Sequence, residues 1–170
     1  NIYAIFGQNV SALNVNGTWL GSMNSFDPGK GYWFVALEEF TFQYNQPEGA
    51  SFASTSNSLS ELPKDLKYKQ SPIQSFYFIK NINVDGDFSI QPEDWIVAYS
   101  DGVVVGARQW AGEYTDVPVM GKYARDSKTS NYIQENDVPV FKIYRPSTKE
   151  FYQLYQDSQE IQPYQNKTVK

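Results

Sequence analysis

Residues 94–110 read DWIVAYSDGVVVGARQW, and this stretch decides the fold. Two apolar runs rich in β-branched and aromatic residues flank Asp101 and Gly102, a pair of residues suited to the positive φ angles of a tight hairpin turn. The second run carries three consecutive valines, so we expect both faces of that strand to be covered. The stretch therefore predicts a β-hairpin at the centre of a sandwich rather than at its edge.

Short apolar runs of the same kind continue from Ile73 nearly to the end of the chain, with turn signals between them. Six or seven strands in about 95 residues are typical of a β-sandwich, and we expect immunoglobulin- or cohesin-like layering. The polar residues 166–170 are predicted to fray. The predicted strands cover residues 74–82, 94–99, 103–110, 117–121, 138–144 and 151–155.

The first 45 residues predict a small β module. Residues 1–13 are predicted to form a short helical turn followed by a strand, and residues 18–20 a short strand after a turn. Asp27-Pro28-Gly29 predicts a second tight turn, because proline fixes φ and glycine supplies the positive φ after it. A buried strand is expected at 31–35, with residues 40–44 as its hairpin partner.

So small a unit is expected to be incomplete, because it cannot bury much apolar surface alone. Three explanations stay open: upstream strands have been removed, another chain supplies them, or the unit packs on the larger one. The chain begins at Asn1, and we interpret it as a processed product or a piece of a longer chain.

The chain is predicted to have three parts. Residues 1–45 form the small β module and residues 73–170 the β-sandwich. Between them, residues 46–72 are rich in Ser, Gln, Pro and Lys and lack apolar periodicity, which predicts a linker or a long surface loop.

Composition excludes several classes of function. The net charge is −5, and the basic residues form no stripe, so we expect no binding to nucleic acid. No apolar run approaches the length of a membrane span, so we expect no membrane insertion. The chain has no cysteine and no histidine, which removes disulfides, thiolate and histidine catalysis and nearly all zinc sites. We expect no enzymatic activity and no cofactor.

Segments in both halves of the chain resemble tandem β-modules of large exported and surface proteins of marine and Bacteroidetes-type bacteria. Val104 stands where those modules often carry cysteine, and their disulfide-bearing insertion after the Trp110 position is absent. The resemblance implies an exported assembly or adhesion protein, and it brings no catalytic residues. The matching segments are GTWLGS and DPGKGYW in the first half, then SFYFI, DWIVAY, VGAR, PVMG and PVFKIY.

The main functional hypothesis is a structural or adhesive module at the extracellular, cell or virion surface. Its partners would be copies of itself or other subunits, and an incomplete β module suggests strand exchange with a neighbour. The alternative is a carbohydrate-binding module. Trp33 and Trp95 are predicted to lie in the core, while Trp110, with Arg108 and Tyr114, forms the candidate ligand or partner surface.

Three other patterns have plainer interpretations. Asn83, Asp85 and Asp87 alternate as calcium ligands can, but their spacing does not fit an EF-hand, so an acidic turn is favoured. The carboxylate pairs at 38–39 and 93–94 are adjacent in sequence, unlike the acids of a glycosidase, which face each other across a cleft. Asn16 and Asn166 begin N-glycosylation patterns, which are expected by chance in a chain of this composition.

Overall fold

A computed structural model of the chain describes residues 1–43, 61–82, 88–154, 161–168 and 170. The chain divides into two compact units, residues 1–61 and 62–170. Their described elements are β-strands with two short 3₁₀ turns, which confirms the predicted all-β class. Within the described ranges, no helix has the length and hydropathy needed to cross a membrane. The strands are β1 Ile2–Gly7, β2 Val10–Val15, β3 Thr18–Leu20, β4 Trp33–Ala36, β5 Gln74–Ile79, β6 Trp95–Ser100, β7 Val103–Gln109, β8 Thr115–Met120, β9 Val140–Arg145 and β10 Glu150–Gln153.

The first unit contains one antiparallel sheet with the strand order β3-β2-β1-β4. Residues 1–13 form a β-hairpin, so the predicted helical turn there is wrong. Asn9 adopts the left-handed conformation with φ 59°, which asparagine tolerates and which closes the turn between β1 and β2. Consecutive residues of β1 are buried, so its apolar spacing imitates a helix although the chain is extended.

Strand β4 follows the Asp27-Pro28-Gly29 turn as predicted, and Gly29 has φ 76°. Its predicted hairpin partner at 40–44 is wrong, because β4 pairs with β1. Residues 40–43 lie outside any strand, and residue 44 lies outside the described residues. The rings of Phe40 and Phe42 instead pack on Phe34, at centroid distances of 6.4 and 5.1 Å.

The second unit is a β-sandwich whose sheets have the orders β10-β9-β6-β7 and β5-β8. All six predicted strands are present. Buried side chains of both sheets form the main core, among them Ile96, Val117 and Phe141. The opposite face of the larger sheet is also covered, because Leu66 of the 3₁₀ turn Lys64–Leu66 packs on it with Trp95, Val97 and Tyr144. Leu66 lies within the stretch 46–72, of which residues 61–72 are described.

The β6–β7 hairpin turns at Asp101 and Gly102, with φ 47° and 79°, as its sequence predicts. Val105 faces the main core and Val104 packs against the second one, so the expectation that both faces of β7 are covered is confirmed. The predicted central position is right for β6 and wrong for β7, which is the last strand of its sheet. The second sheet covers β7 face-on instead: a Cβ on Gly106 would lie 1.7 Å from the carbonyl oxygen of Pro118.

The C-terminal residues lie along β5, so the predicted fraying of 166–170 is wrong for the described residues. The backbone N–H groups of Phe76 and Phe78 donate to the carbonyl oxygens of Thr168 and Lys170, at 3.0 and 2.8 Å. The N–H of Lys170 donates in turn to the carbonyl of Phe76 at 2.8 Å. This is the bonding of a parallel strand. Polar side chains do not prevent it, because the bonds use only backbone atoms.

Candidate functional site

Strand β10 forms one edge of the larger sheet in the second unit, and among the described residues it pairs only with β9. Phe151 lies opposite Tyr144, which in turn lies opposite Trp95 on β6. Directly paired residues share one face of a sheet, so Phe151 lies on the face that Leu66 covers further along. The side chain of Phe151 is 45% exposed. The cover therefore ends before it reaches β10.

Val140 begins β9 on the same face, opposite Tyr99, and is 46% exposed. The ring of Tyr99 lies 6.3 Å from that of Phe151, and the ammonium of Lys142 lies 5.3 Å from the centre of the Tyr99 ring. We call Tyr99, Val140, Lys142 and Phe151 the outer patch. It joins one aliphatic and two aromatic side chains to a single cation.

The chemistry of the outer patch is that of a binding surface. Burial raises the pKa of Tyr99 above its ordinary value, so its hydroxyl is neutral at physiological pH. Lys142 contributes a positive charge above an aromatic ring, a favourable cation–π arrangement. Gln153, paired with Lys142 and exposed, adds amide donors and acceptors at the rim. The patch can bury apolar groups and pair with an acidic one.

A charged clamp on the opposite face fixes the β9–β10 hairpin. Arg145 donates from Nε and one terminal nitrogen to the two carboxylate oxygens of Asp94, at 2.9 and 2.7 Å. Its guanidinium lies 4.5 Å from the ring centre of Phe88 and 5.5 Å from that of Tyr152. The hydrogen bonds that Arg145 donates to the Asp94 carboxylate raise the pKa of Arg145 above its ordinary value. Asp94 is fully buried, and both of its carboxylate oxygens accept hydrogen bonds from Arg145. We therefore interpret this clamp as structural.

The three residues predicted as a ligand or partner surface lie on β7 and the loop that follows it. Arg108 is buried, and its Nε donates to the carbonyl oxygen of Asp116 at 2.9 Å and lies 3.5 Å from the Asp116 carboxylate. Trp110 is half-buried against the main core. Tyr114 is half-buried in a left-handed turn, φ 63°, with Lys80 5.9 Å from its ring centre. Their role in binding stays a prediction.

The exposure of the tryptophans differs from the sequence prediction in two places. Trp95 lies in the core as expected, but Trp33 is 38% exposed on its sheet in the first unit. Trp19 is 45% exposed, more than the half-buried Trp110 that we expected to be the most accessible. Trp19 lies on the short edge strand β3, where little packs against a side chain.

The remaining patterns give no reactive centre in the described part of the chain. The possible calcium ligands Asn83, Asp85 and Asp87 lie outside the described residues. In the part of the chain that the structure describes, no group of acidic side chains could hold a metal ion. Glu93 is exposed while its neighbour Asp94 is bound to Arg145, so the two carboxylates do not act as a pair. Asn166 is engaged with β5, since its Oδ1 accepts from the N–H of Gln74 at 3.0 Å.

Sequence reasoning missed the outer patch, although one signal for it was present. The alternation in residues 139–144 places Phe141 and Ile143 on one face and Lys142 and Tyr144 on the other. Val140 belongs to the second set. A valine and a lysine on the same face of a strand indicate a face that is only partly covered. The alternation does not show how far the segment that contains Leu66 extends over this face of the sheet.

Comparison with known protein families, with curated proteins and with solved structures gave no match.

Proposed function

We propose that the chain is a non-enzymatic structural or adhesive module of an extracellular or virion-surface assembly. In this proposal the outer patch binds a copy of the chain or another subunit of the same assembly. The observation that carries it is the exposure of Phe151 and Val140 on a face where Trp95, Val97 and Tyr144 are buried beside Leu66. The resemblance to exported tandem β-modules supports the location and the class of partner.

Exposing apolar side chains to water is unfavourable in free energy, and binding a partner removes this cost. Burying apolar surface contributes about 25 cal/mol per Å², so two large exposed side chains on one patch favour association. The outer edge of β10 adds backbone groups that a neighbouring strand can pair with. Lys142 and Gln153 at the rim would restrict the partner to surfaces with matching polar groups.

The direct test is the mass of the native chain as a function of concentration, measured by static light scattering together with intact mass spectrometry. We expect the mass to rise above the 19.4 kDa monomer. The Val140→Lys variant should have a lower mass than wild type at each concentration, because a second lysine beside Lys142 makes apposed patches repel each other and removes this contact. Leu37→Lys is the matched control, since Leu37 is 74% exposed in the first unit, and it should behave as wild type. A wild-type chain that stays monomeric throughout contradicts the proposal.

A second candidate is a carbohydrate-binding module for attachment to polysaccharide. The exposure of Trp19 favours it, because an indole face can stack on the apolar face of a sugar ring. Asn14, paired with Trp19 across β2 and β3, lies on the same face of the sheet. On a glycan array this function predicts retention that is lost in Trp19→Ala if the exposed indole is the platform, and in Trp110→Ala if the predicted surface on β7 is the platform.

A further inference from the structure

Residues 161–168 and 170, which we call the closing segment, are bound to β5 by a continuous series of hydrogen bonds. Besides the backbone bonds of Phe76 and Phe78, the N–H of Lys167 donates to the carbonyl of Gln74 at 2.7 Å. The hydroxyl of Tyr77 donates to the carbonyl of Gln162 at 2.9 Å. Most of these bonds use backbone atoms on both sides. They can therefore bind an extended chain along β5, whichever molecule it comes from.

One side chain of the closing segment reaches the main core. Tyr164 is 1% exposed, and Gly121 provides its space, since a Cβ there would lie 2.3 Å from the Tyr164 hydroxyl. Its backbone is held on both sides: its N–H donates to the carbonyl of Asp137 at 2.8 Å, and its carbonyl accepts from the N–H of Asn136 at 2.9 Å. Tyr164 thus sets the register that the backbone bonds alone leave open.

The groups that receive the closing segment form a socket built from β5, Gly121 and residues 135–137. These elements precede β9 and β10 in the chain, whereas the closing segment follows β10. The socket therefore precedes the β9–β10 hairpin in the chain, and the closing segment follows it. Every copy of the chain carries the same socket and the same segment.

The closing segment is also a long-range addition to the fold. Gln74 and Asn166, which bond to each other, are 92 residues apart in sequence. A parallel pair needs a long crossover connection, and closing such a loop costs entropy that a local hairpin avoids. The Tyr164 hydroxyl has no hydrogen-bond partner among the described residues, and this is the same whether Tyr164 comes from the same chain or from a second copy.

We infer that the socket on β5 accepts the closing segment of a second copy, so that neighbouring copies are joined by strand exchange. The exchanged and closed forms contain the same contacts between the socket and the closing segment. Their relative free energies depend mainly on the entropy of closing the loop, and a high local concentration of chains favours the exchanged form. An array of copies on a surface supplies that concentration. The inference extends the proposed assembly function, and it uses a surface that does not include the outer patch.

Two single-cysteine variants test this in the full chain, which has no cysteine of its own. The hydroxyls of Ser75 on β5 and Thr168 in the closing segment are 3.4 Å apart, so cysteines at these positions are close enough to be joined. Ser75→Cys and Thr168→Cys chains are mixed at high concentration, incubated and oxidised. A mixed disulfide-linked dimer can then form between these positions only if one chain donates its segment to the other. Intact mass spectrometry identifies it, because the two substitutions change the mass by different amounts.

The control mixture replaces Ser75→Cys with Ser147→Cys, an exposed position outside the socket, and reports random collisions. We expect the mixed dimer in several-fold excess over this control, with a yield that increases with concentration. A yield no higher than the control overturns the inference. The double variant Ser75→Cys/Thr168→Cys checks the socket itself: if it forms no disulfide at all, the segment is not bound at β5 and the inference also fails.

Val140→Lys separates this inference from the proposed function. When the substitution is added to both single-cysteine chains, the mixed dimer should persist although association through the outer patch is lost. A mixed dimer that disappears with Val140→Lys would show that the cross-link depends on the outer patch, and strand exchange at β5 would be rejected.

Discussion

The two hairpins of the larger sheet in the second unit differ in how they are covered. The β6–β7 hairpin is packed on both faces, by the β5–β8 sheet on one side and by the Leu66 segment on the other. The β9–β10 hairpin shares the same sheet, yet its outer strand exposes Phe151 and its first residue is the exposed Val140. Turn geometry does not explain this, because both hairpins have left-handed residues at or beside the turn, Asp101 and Gly102 in one and Lys149 in the other.

This difference separates stability from association within one sheet. Substitutions in β6–β7 should disturb packing and lower the free energy of unfolding. Substitutions at the exposed positions of β9–β10 should leave the fold stable and change what the chain binds.

Gly106→Ala should prevent the second unit from folding. The added methyl group would lie 1.7 Å from the Pro118 carbonyl oxygen, and backbone on both sides leaves no flexible group to move away. Gly102→Ala is the control: it meets nothing within 4 Å, and only its φ of 79° is unfavourable, so it should cost about 1 kcal/mol. Thermal unfolding followed by near-UV circular dichroism measures both. A Gly106→Ala chain as stable as wild type would refute the close approach of β7 and β8.

Arg108→Ala should lower the free energy of unfolding by about 3–5 kcal/mol, because it removes one member of a buried ion pair together with its hydrogen bond to the Asp116 carbonyl. Side chains of both residues are less than a tenth exposed. Arg125→Ala, at an exposed position, should change stability by less than about 0.5 kcal/mol. Urea denaturation measures both values. Equal effects of the two substitutions would mean that Arg108 is not a structural residue and would restore it as a binding residue.

The core beneath the β6–β7 hairpin should make stability fall at high pH. Burial raises the pKa of Tyr77 and Tyr164 well above the ordinary value near 10. The folded chain therefore keeps protons that the unfolded chain loses, so this contribution is complete below about pH 10 and falls as pH rises further, by about 1.4 kcal/mol per pH unit for each tyrosine.

Tyr164→Phe sharpens this prediction. It should reduce the slope of unfolding free energy against pH above pH 10 by about 1.4 kcal/mol per unit. Below pH 10 it should stabilise the fold by about 1 kcal/mol, because it removes a buried hydroxyl without a described partner. Urea denaturation from pH 8 to pH 11.5 gives both quantities. An unchanged slope would show that Tyr164 titrates normally and is not buried in the core.

The sequence predicted what is encoded locally. Asp101-Gly102 and Asp27-Pro28-Gly29 close turns through their own φ preferences, and the six strands after Ile73 follow from short apolar runs between such turns. It failed where a distant partner decides. Strand β4 pairs with β1 rather than with residues 40–44. The polar closing segment binds to β5, where Asn166 bonds to Gln74, a residue 92 positions earlier in the chain.

The candidate site could be predicted only in part for the same reason. Alternation along β9 places Val140, Lys142 and Tyr144 on one face, which sequence alone provides. Whether a residue on that face is buried depends on the length of the Leu66 segment, so Tyr144 is buried while Phe151, its direct neighbour on β10, is exposed. The tryptophans illustrate the same limit: Trp33 and Trp95 both lie in apolar runs, and only Trp95 of these two is buried.

Sedimentation velocity of wild type and Phe151→Ser over a wide range of concentration shows whether copies of the chain associate through the outer patch. Wild type should associate reversibly, whereas Phe151→Ser should associate more weakly at every concentration and keep a wild-type unfolding curve to within about 1 kcal/mol, as expected for a half-exposed side chain. If Phe151→Ser associates as wild type does, the outer patch is not the contact, and the assembly function proposed for it is wrong.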